Sequence, residues 1–462
     1  MAAATKAIRL IRYRNPLTAF ANSLIASATN PKVLIISWAF PPILDTESLQ
    51  TLRCVKHLPA HGWQPVVLTV QPPHRTCAID ESLLRLVPPH VRVERAWTWE
   101  HRWTVGFLRR FAPALLQLPD KEVGWLWDAV RRGKKMARAE NVQVIYTRAC
   151  PFSSHFIGYH LKRITGLPWV AHFSDPWTQS PYFTLPRARH RRFHETWERR
   201  IVETADALTF ATGYIRDGFV TKYPVAEKSF VVSNSFDRSE LNLPTFQPSN
   251  LPTCQRANLP TLILTHVGQF YGIRSPVPFL RALRQAIDQE AEFGERIAVC
   301  FVGSLASEFR QVIHDLRLET HVTITGRVPY FESLKCQAAS DALLLVDAPC
   351  NGPSVFLPSK LLEYLAFGKP ILALTPPRGM SAGLVQQAGG IVVAPDDVDA
   401  IAQRLVEMWQ QFKGGQLQGH NFFPQSCESS HVVGVLADVL RRAASSNSAV
   451  SVREQYRSLP AP

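Results

Sequence analysis

The chain has 462 residues, long for a single hydrophobic core and enough for two domains of roughly 200 each. Hydrophobic residues at 46% and charged residues at 19% exclude a disordered or fibrous protein, and no apolar run approaches the roughly 20 residues of a membrane span. The net charge of +14 is unevenly placed: residues 1–240 hold 33 Lys and Arg against 19 Asp and Glu, whereas 241–462 hold 18 of each.

Residues 1–30 carry four basic residues and no acid. They read as an N-terminal arm, comparable in composition to a transit peptide or a short amphipathic surface helix. From Lys32 the pattern is one of apolar strands separated by helices. "KVLIIS" ends in the loop "WAFPPILDTES", and a helical stretch follows to Leu58. "QPVVLTV", "VQVIYTR", "LPWVAHF", "ADALTFAT" and "SFVVSNS" continue the series to about residue 240. Such alternation predicts a parallel sheet covered on both faces. Within this half the basic excess gathers in 131–140 and 187–200, both helix-like and interleaved with Trp and Phe. A solvated basic face is one reading; an anionic partner, either a membrane surface or a phosphate-bearing substrate, is the other. Nucleic acid is not expected, because no recognition module accompanies the charge.

Residues 241–260 are rich in Pro, Asn and Ser and predict a linker. The alternation then restarts over 261–425 with "LILTHVG", "IAVCFVG", "HVTITG", "DALLLVD" and "GGIVVAP", and a helix opens at about Val398. A C-terminal helix is expected over 426–445 and a tail over 446–462. Two doubly wound α/β domains imply a cleft between them, with ligands at the carboxyl ends of the strands.

The eight cysteines have no two within four positions of each other, so no zinc motif is present and a reducing cytoplasm fits. No metal is expected. The histidine pairs 57/61 and 190/194 have i,i+4 spacing, but Pro59 interrupts the first and the second sits in a basic run. The aspartates of "DVD" at 397–399 stand where an N-cap belongs. His172 reads as a core or rim histidine.

The stretch "LPSKLLEYLAFGKPILAL" (357–374) raises the sharpest question. Pro358, Ser359 and Lys360 open a predicted helix, Glu363 sits one turn in, Gly368 closes it and a strand follows. Glu363 has two readings: a complement to the helix dipole, or an acceptor for vicinal hydroxyls. Arg274 follows "GQFYG", a glycine-bounded loop after a strand, where backbone can approach phosphate. Asp175, after "AHFS", is either an orienting carboxylate at a strand end or a turn residue before Pro176.

The chain resembles the family 4 glycosyltransferases of GT-B architecture, over roughly residues 32–445. The most specific element is "PSKLLEYLAFGKPIL" (358–372); "THVGQFYGIRSP" (265–276), "SWAFPP" and "WVAHFSDPW" add to it. The resemblance implies two facing Rossmann-like domains with an interdomain cleft, and a nucleotide diphosphate sugar held mainly by the second. It also implies transfer to a lipid-linked or polysaccharide acceptor, retaining and metal-independent, with no cofactor beyond the donor substrate. Gly268, Gln269, Arg274, Ser359, Lys360 and Glu363 are then expected to bind the donor, and Asp175, Arg274 and Lys360 to act in catalysis. The implied location is cytoplasmic, at the inner face of the membrane, in bacterial surface-polysaccharide synthesis. This sequence departs from the family pattern at several positions. Val355 stands where the first of two glutamates is usual, no glycine pair follows "FPP", Gly268-Gln269 replaces Gly-Arg, Arg274 replaces a lysine, and Ser174 replaces a histidine. Two alternatives follow from those departures: a non-catalytic member acting as a scaffold or partner, or another GT-B activity such as a sugar-nucleotide epimerase.

Overall fold

The computed structural model describes residues 30–72, 77–99, 119–180, 188–242 and 260–457. The expected arm at 1–30 and linker at 241–260 fall almost entirely outside them. In chain order the strands of the first sheet are β1 (Lys32–Ile36), β2 (Gln64–Val70), β3 (Val93–Ala96), β4 (Val142–Ala149), β5 (Trp169–Phe173), β6 (Ala207–Phe210) and β7 (Ser229–Val231). Those of the second are β8 (Leu262–Val267), β9 (Ile297–Val302), β10 (Val322–Ile324), β11 (Ala342–Val346), β12 (Ile371–Leu374) and β13 (Ile391–Val393). Both sheets are parallel throughout. Their orders, β3-β2-β1-β4-β5-β6-β7 and β10-β9-β8-β11-β12-β13, follow one scheme. The expected strands are all present; β3, a short edge strand with only its last residue fully buried, is an addition.

The helices around the first sheet are α1 (Thr46–His57), α2 (Leu126–Ala139), α3 (Ser153–Thr165), α4 (Ala188–Thr204) and α5 (Gly213–Lys222). The second carries α6 (Val277–Gln289), α7 (Ala291–Arg296), α8 (Ser307–Asp315), α9 (Tyr330–Ala338), α10 (Ser359–Phe367), α11 (Met380–Gln387) and α12 (Val398–Lys413). Asp397 caps α12 by accepting from Ala400 N at 3.0 Å, as its position predicts. A last helix, α13 (Ser429–Arg457), runs on past residue 445, where a tail was expected. Among the described residues no helix is long and apolar enough to cross a membrane.

Successive strand residues point to opposite faces, and the sheets show why their strands read as unbroken apolar runs. In β1, Leu34 and Ile36 enter one core cluster while Val33 and Ile35 enter another. In β11, Leu343 and Leu345 are separated in the same way from Leu344 and Val346. α13 returns to the first domain: Val432, Val433, Leu436, Ala437 and Leu440 complete the cluster of Val33 and Ile35. Trp63 Nε1 donates to Ala437 O at 3.3 Å. The chain crosses between domains twice side by side, with Phe236 N bonded to Cys427 O at 3.0 Å and Ser429 N to Phe236 O at 3.1 Å.

Further contacts tie the two domains along one edge of the cleft. Tyr330 N donates to Asp80 Oδ2 at 2.7 Å, and Arg53 bonds both the Tyr330 hydroxyl and Glu240 at 3.0 Å. Thr212 Oγ1 donates to Val355 O at 2.8 Å, Asn234 Nδ2 to Leu357 O at 2.9 Å, and Gln50 Nε2 to Ser359 Oγ at 3.2 Å.

Candidate active site

Ligands of doubly wound sheets bind beyond the strand ends where the strand order reverses. In the second sheet that point lies between β8 and β11, whose carboxyl ends run directly into Gly268 and Asp347. Gly268 takes φ +112°, open to glycine and costly for other residues. A Cβ there would lie 2.6 Å from Lys360 Nζ, so a side chain at 268 would displace the amine. Gln269, exposed and turned with its amide oxygen toward Arg327, accepts from Nη2 and Nε of that guanidinium at 2.8 and 2.9 Å.

Arg274 closes the loop. It is buried, lies over the Tyr271 ring with 5.1 Å to the centroid, and donates through Nη2 to Asp347 Oδ1 at 3.0 Å. Asp347 also accepts from Ala348 N at 2.8 Å and Ser354 Oγ at 3.1 Å. In the sequence Asp347 carries a single signal, its place directly after "DALLLV".

The helix predicted from "PSKLLEYLAFG" is α10. Pro358 is its N-cap in extended conformation, and Gly368 ends it at φ +64°, the left-handed stop that glycine takes easily. The first N–H groups of such a helix lack intrahelical acceptors and carry partial positive charge. Lys360 reaches from this end to His266 Nε2 at 3.3 Å. Burial first, and then the neighbouring Arg274 charge, bring its amine down to about 7, against the opposing pull of Glu363 and Asp347. Glu363 is buried and accepts from Gln337 Nε2 at 2.9 Å. Burial pushes its carboxyl up, offset by Gln337 and by the charge of Arg53. Tyr364, on the same helix, accepts from Val267 N at 2.9 Å and donates to Leu344 O at 3.3 Å, fixing α10 to β8 and β11.

Gly268, Gln269, Arg274, Ser359, Lys360 and Glu363 thus belong to one end of the second sheet. Ser359 is shared, since its hydroxyl accepts the bond from Gln50 of the first domain.

Asp175 stands in the first domain, after β5. It accepts from Cys150 Sγ at 3.1 Å through Oδ2. Burial raises its carboxyl, with Glu47 adding to the effect, whereas Cys150 and the Arg274 guanidinium of the other domain lower it. Asp175 of the first domain is thus within electrostatic reach of Arg274 of the second. Ser174 donates to Glu47, which also takes Arg148 Nε at 3.0 Å. In the sequence Glu47 shows only as part of a loop and a helix start. His172 is fully buried, with Nδ1 3.1 Å from Thr209 Oγ1, and burial holds it neutral, as expected of a core histidine.

Val355 packs against the first domain's core cluster. The position that is usually acidic in the family is here an apolar contact between domains.

The arrangement offers a cation, a buried arginine and a helix start to phosphate, and a carboxylate one turn on to hydroxyls. Residues 48–235 match the family model "Glycosyl transferase 4-like domain" and residues 261–411 match "Glycosyl transferases group 1". Among solved structures the chain is similar to Anabaena HepE in complex with UDP and glucose, at 16% identity over 93% of this chain and 100% of that one, TM-score 0.57. It is similar to sucrose-phosphate synthase from Thermosynechococcus elongatus at 15% identity over 93% and 100%, TM-score 0.58. A UDP-GlcNAc 2-epimerase from Neisseria meningitidis bound to UDP-GlcNAc shares the fold at 12% identity over 89% and 100%, TM-score 0.56. A comparison with curated proteins gives no match. These structural likenesses are of fold, and the epimerase shows that the fold alone does not choose the reaction. The two domain models, which together span most of the chain, do: the chain belongs to the family 4 glycosyltransferases of GT-B architecture, and it is a glycosyltransferase.

Proposed function

We propose that the protein moves a sugar from a nucleoside diphosphate to a lipid-linked or polysaccharide acceptor, with retention and without a metal, at the inner face of a membrane. The observation that carries the donor side is the meeting of Lys360, Arg274 and the start of α10 at the ends of β8 and β11. Breaking the bond between sugar C1 and diphosphate builds negative charge on the leaving group, and preorganised donors around it stabilise that charge most. Lys360 and the first N–H groups of α10 would meet the phosphates, with Arg274 beside them. Glu363 would accept from the ribose hydroxyls. Across the cleft, Asp175 makes one bond through Oδ2, and its Oδ1 would orient the acceptor hydroxyl. Retention and independence of metal rest on the family resemblance.

The membrane side rests on α2. Trp127 is 79% exposed, and Arg131, Lys134, Lys135 and Arg138 continue along the same helix at spacings that share a face. An aromatic and cationic face of this kind suits an anionic headgroup layer.

The test is incubation with a panel of UDP-, GDP- and ADP-sugars in the presence of lipid-linked acceptors. Release of the nucleoside diphosphate together with a glycosylated lipid is expected. A change of configuration at the sugar without release would assign the epimerase alternative instead.

A further inference from the structure

Lys360, half-buried, donates to a histidine, where an ammonium more commonly meets a carboxylate. His266, in β8, is fully buried, and its Nε2 lies 3.3 Å from Lys360 Nζ. Its other nitrogen, Nδ1, lies 2.9 Å from Leu344 O of β11. A carbonyl oxygen can only accept, so Nδ1 carries the proton and Nε2 offers a lone pair to the amine. The ring is fixed: it stacks on Phe270 at 4.4 Å between centroids and 16° between planes, and meets the edge of Phe301 at 6.2 Å and 83°.

We propose that His266 is the positioning residue of the donor-phosphate site, a neutral acceptor that holds the Lys360 ammonium in place without neutralising it. The proposal rests on the donor reading above. A carboxylate in this place would orient the amine too, but its negative charge would cancel the ammonium's attraction for phosphate and repel the phosphate itself. Imidazole fixes the direction and leaves the charge available. Burial and the nearby Lys360 and Arg274 charges keep the ring neutral, so it remains an acceptor. The bond to Leu344 O also links the two strands whose ends form the site. Gly268 completes the arrangement, since any side chain there would occupy the position of the amine.

The experiment measures UDP and uridine binding by calorimetry for the wild type, His266→Phe and His266→Gln. Phe keeps the stacked ring and removes the acceptor; Gln keeps an oxygen acceptor and an N–H donor. His266→Phe is expected to lose roughly tenfold in UDP affinity with uridine binding unchanged, and His266→Gln to recover most of the loss. General damage to the fold would weaken both ligands together. UDP affinity of His266→Phe equal to wild type overturns the proposal. If the Phe variant does not fold, 15N spectra of histidine in the wild-type chain decide. A neutral ring protonated at Nδ1 between pH 6 and 8 supports the assignment, and an imidazolium or an Nε2–H ring overturns it. Wild type that binds UDP no better than uridine sinks the diphosphate reading instead, and the spectra still report whether His266 accepts from Lys360.

Discussion

Arg274 Nη2 and Asp347 Oδ1 are 3.0 Å apart, and both side chains are buried. The guanidinium that reaches the cleft is therefore held from behind by a carboxylate of its own domain. Asp347 is itself committed on several sides, to Arg274, Ala348 N, Ser354 and Thr375. Removing one partner of such a buried pair leaves an uncompensated charge. Asp347→Ala should lower stability in urea unfolding by about 3–5 kcal/mol. A loss near zero would mean that water replaces the aspartate and that the pair does not position Arg274.

Lys360 should give nucleotide binding a pH dependence. Arg274 from the loop after β8, Asp347 from the end of β11, Glu363 from α10 and His266 from β8 all face the amine. Burial brings the amine to about 7, so above that pH it is mostly neutral. A diphosphate favours the ammonium, so binding takes up a proton and UDP affinity should fall as pH rises above 7, by at most about tenfold per unit. Lys360→Arg, whose guanidinium stays charged, should flatten the profile. Calorimetry in two buffers of different ionisation enthalpy reads the proton directly; no uptake at pH 8 would exclude this coupling.

Glu363 should distinguish ribose from deoxyribose. Glu363→Gln keeps the size and loses the charge, so UDP binding should weaken by about 1.5–3 kcal/mol, with little change for 2′-deoxy-UDP. Gln337→Leu, which removes the donor to Glu363 Oε2, should shift both nucleotides less. Equal binding of UDP to wild type and Glu363→Gln would leave Glu363 as a helix-dipole residue only.

Restoring the family's acid at Val355 should not restore a site. Val355 packs against the first domain's apolar cluster, and its carbonyl accepts from Thr212. Val355→Glu would press a carboxylate onto that surface, at a cost of about 1–3 kcal/mol. The melting temperature should drop and transfer should not rise. A faster enzyme of unchanged stability would show that the side chain can turn into the cleft instead.

On α2 the basic residues are not equivalent. Arg131 and Arg132 are paired with Asp128, and Arg132 also with Glu94, so replacing them disturbs the fold's own pairs. Among the described residues Lys134, Lys135 and Arg138 have no such ion pairs. Changing these three to Gln should weaken binding to phosphatidylserine vesicles by about 1 kcal/mol each and leave UDP binding unchanged. Vesicle binding that is insensitive to salt and to these changes would remove α2 as the membrane face.

What was legible in the sequence was what local pattern encodes. Apolar runs of strand length, helix starts and stops such as Pro358 and Gly368, and the "PSKLLEY" segment are read from neighbours in the chain, because backbone preference and periodicity act over a few residues. The two parallel-sheet domains came from this; the residues expected to bind a donor came from the family resemblance that the "PSKLLEY" segment carries. Other features depended on contacts between distant segments. His266 reaches Lys360 across 94 positions, Arg274 reaches Asp347 across 73, and Gln50 reaches Ser359 across 309. Gln337 carries no local mark of its bond to Glu363, and Val355 shows its apolar contact only once the domains dock. The return of α13 to the first domain was equally hidden, since an amphipathic helix records that it has a buried face but not which surface covers it. Strand order and domain docking choose those partners, and they depend on how the whole chain buries its apolar surface.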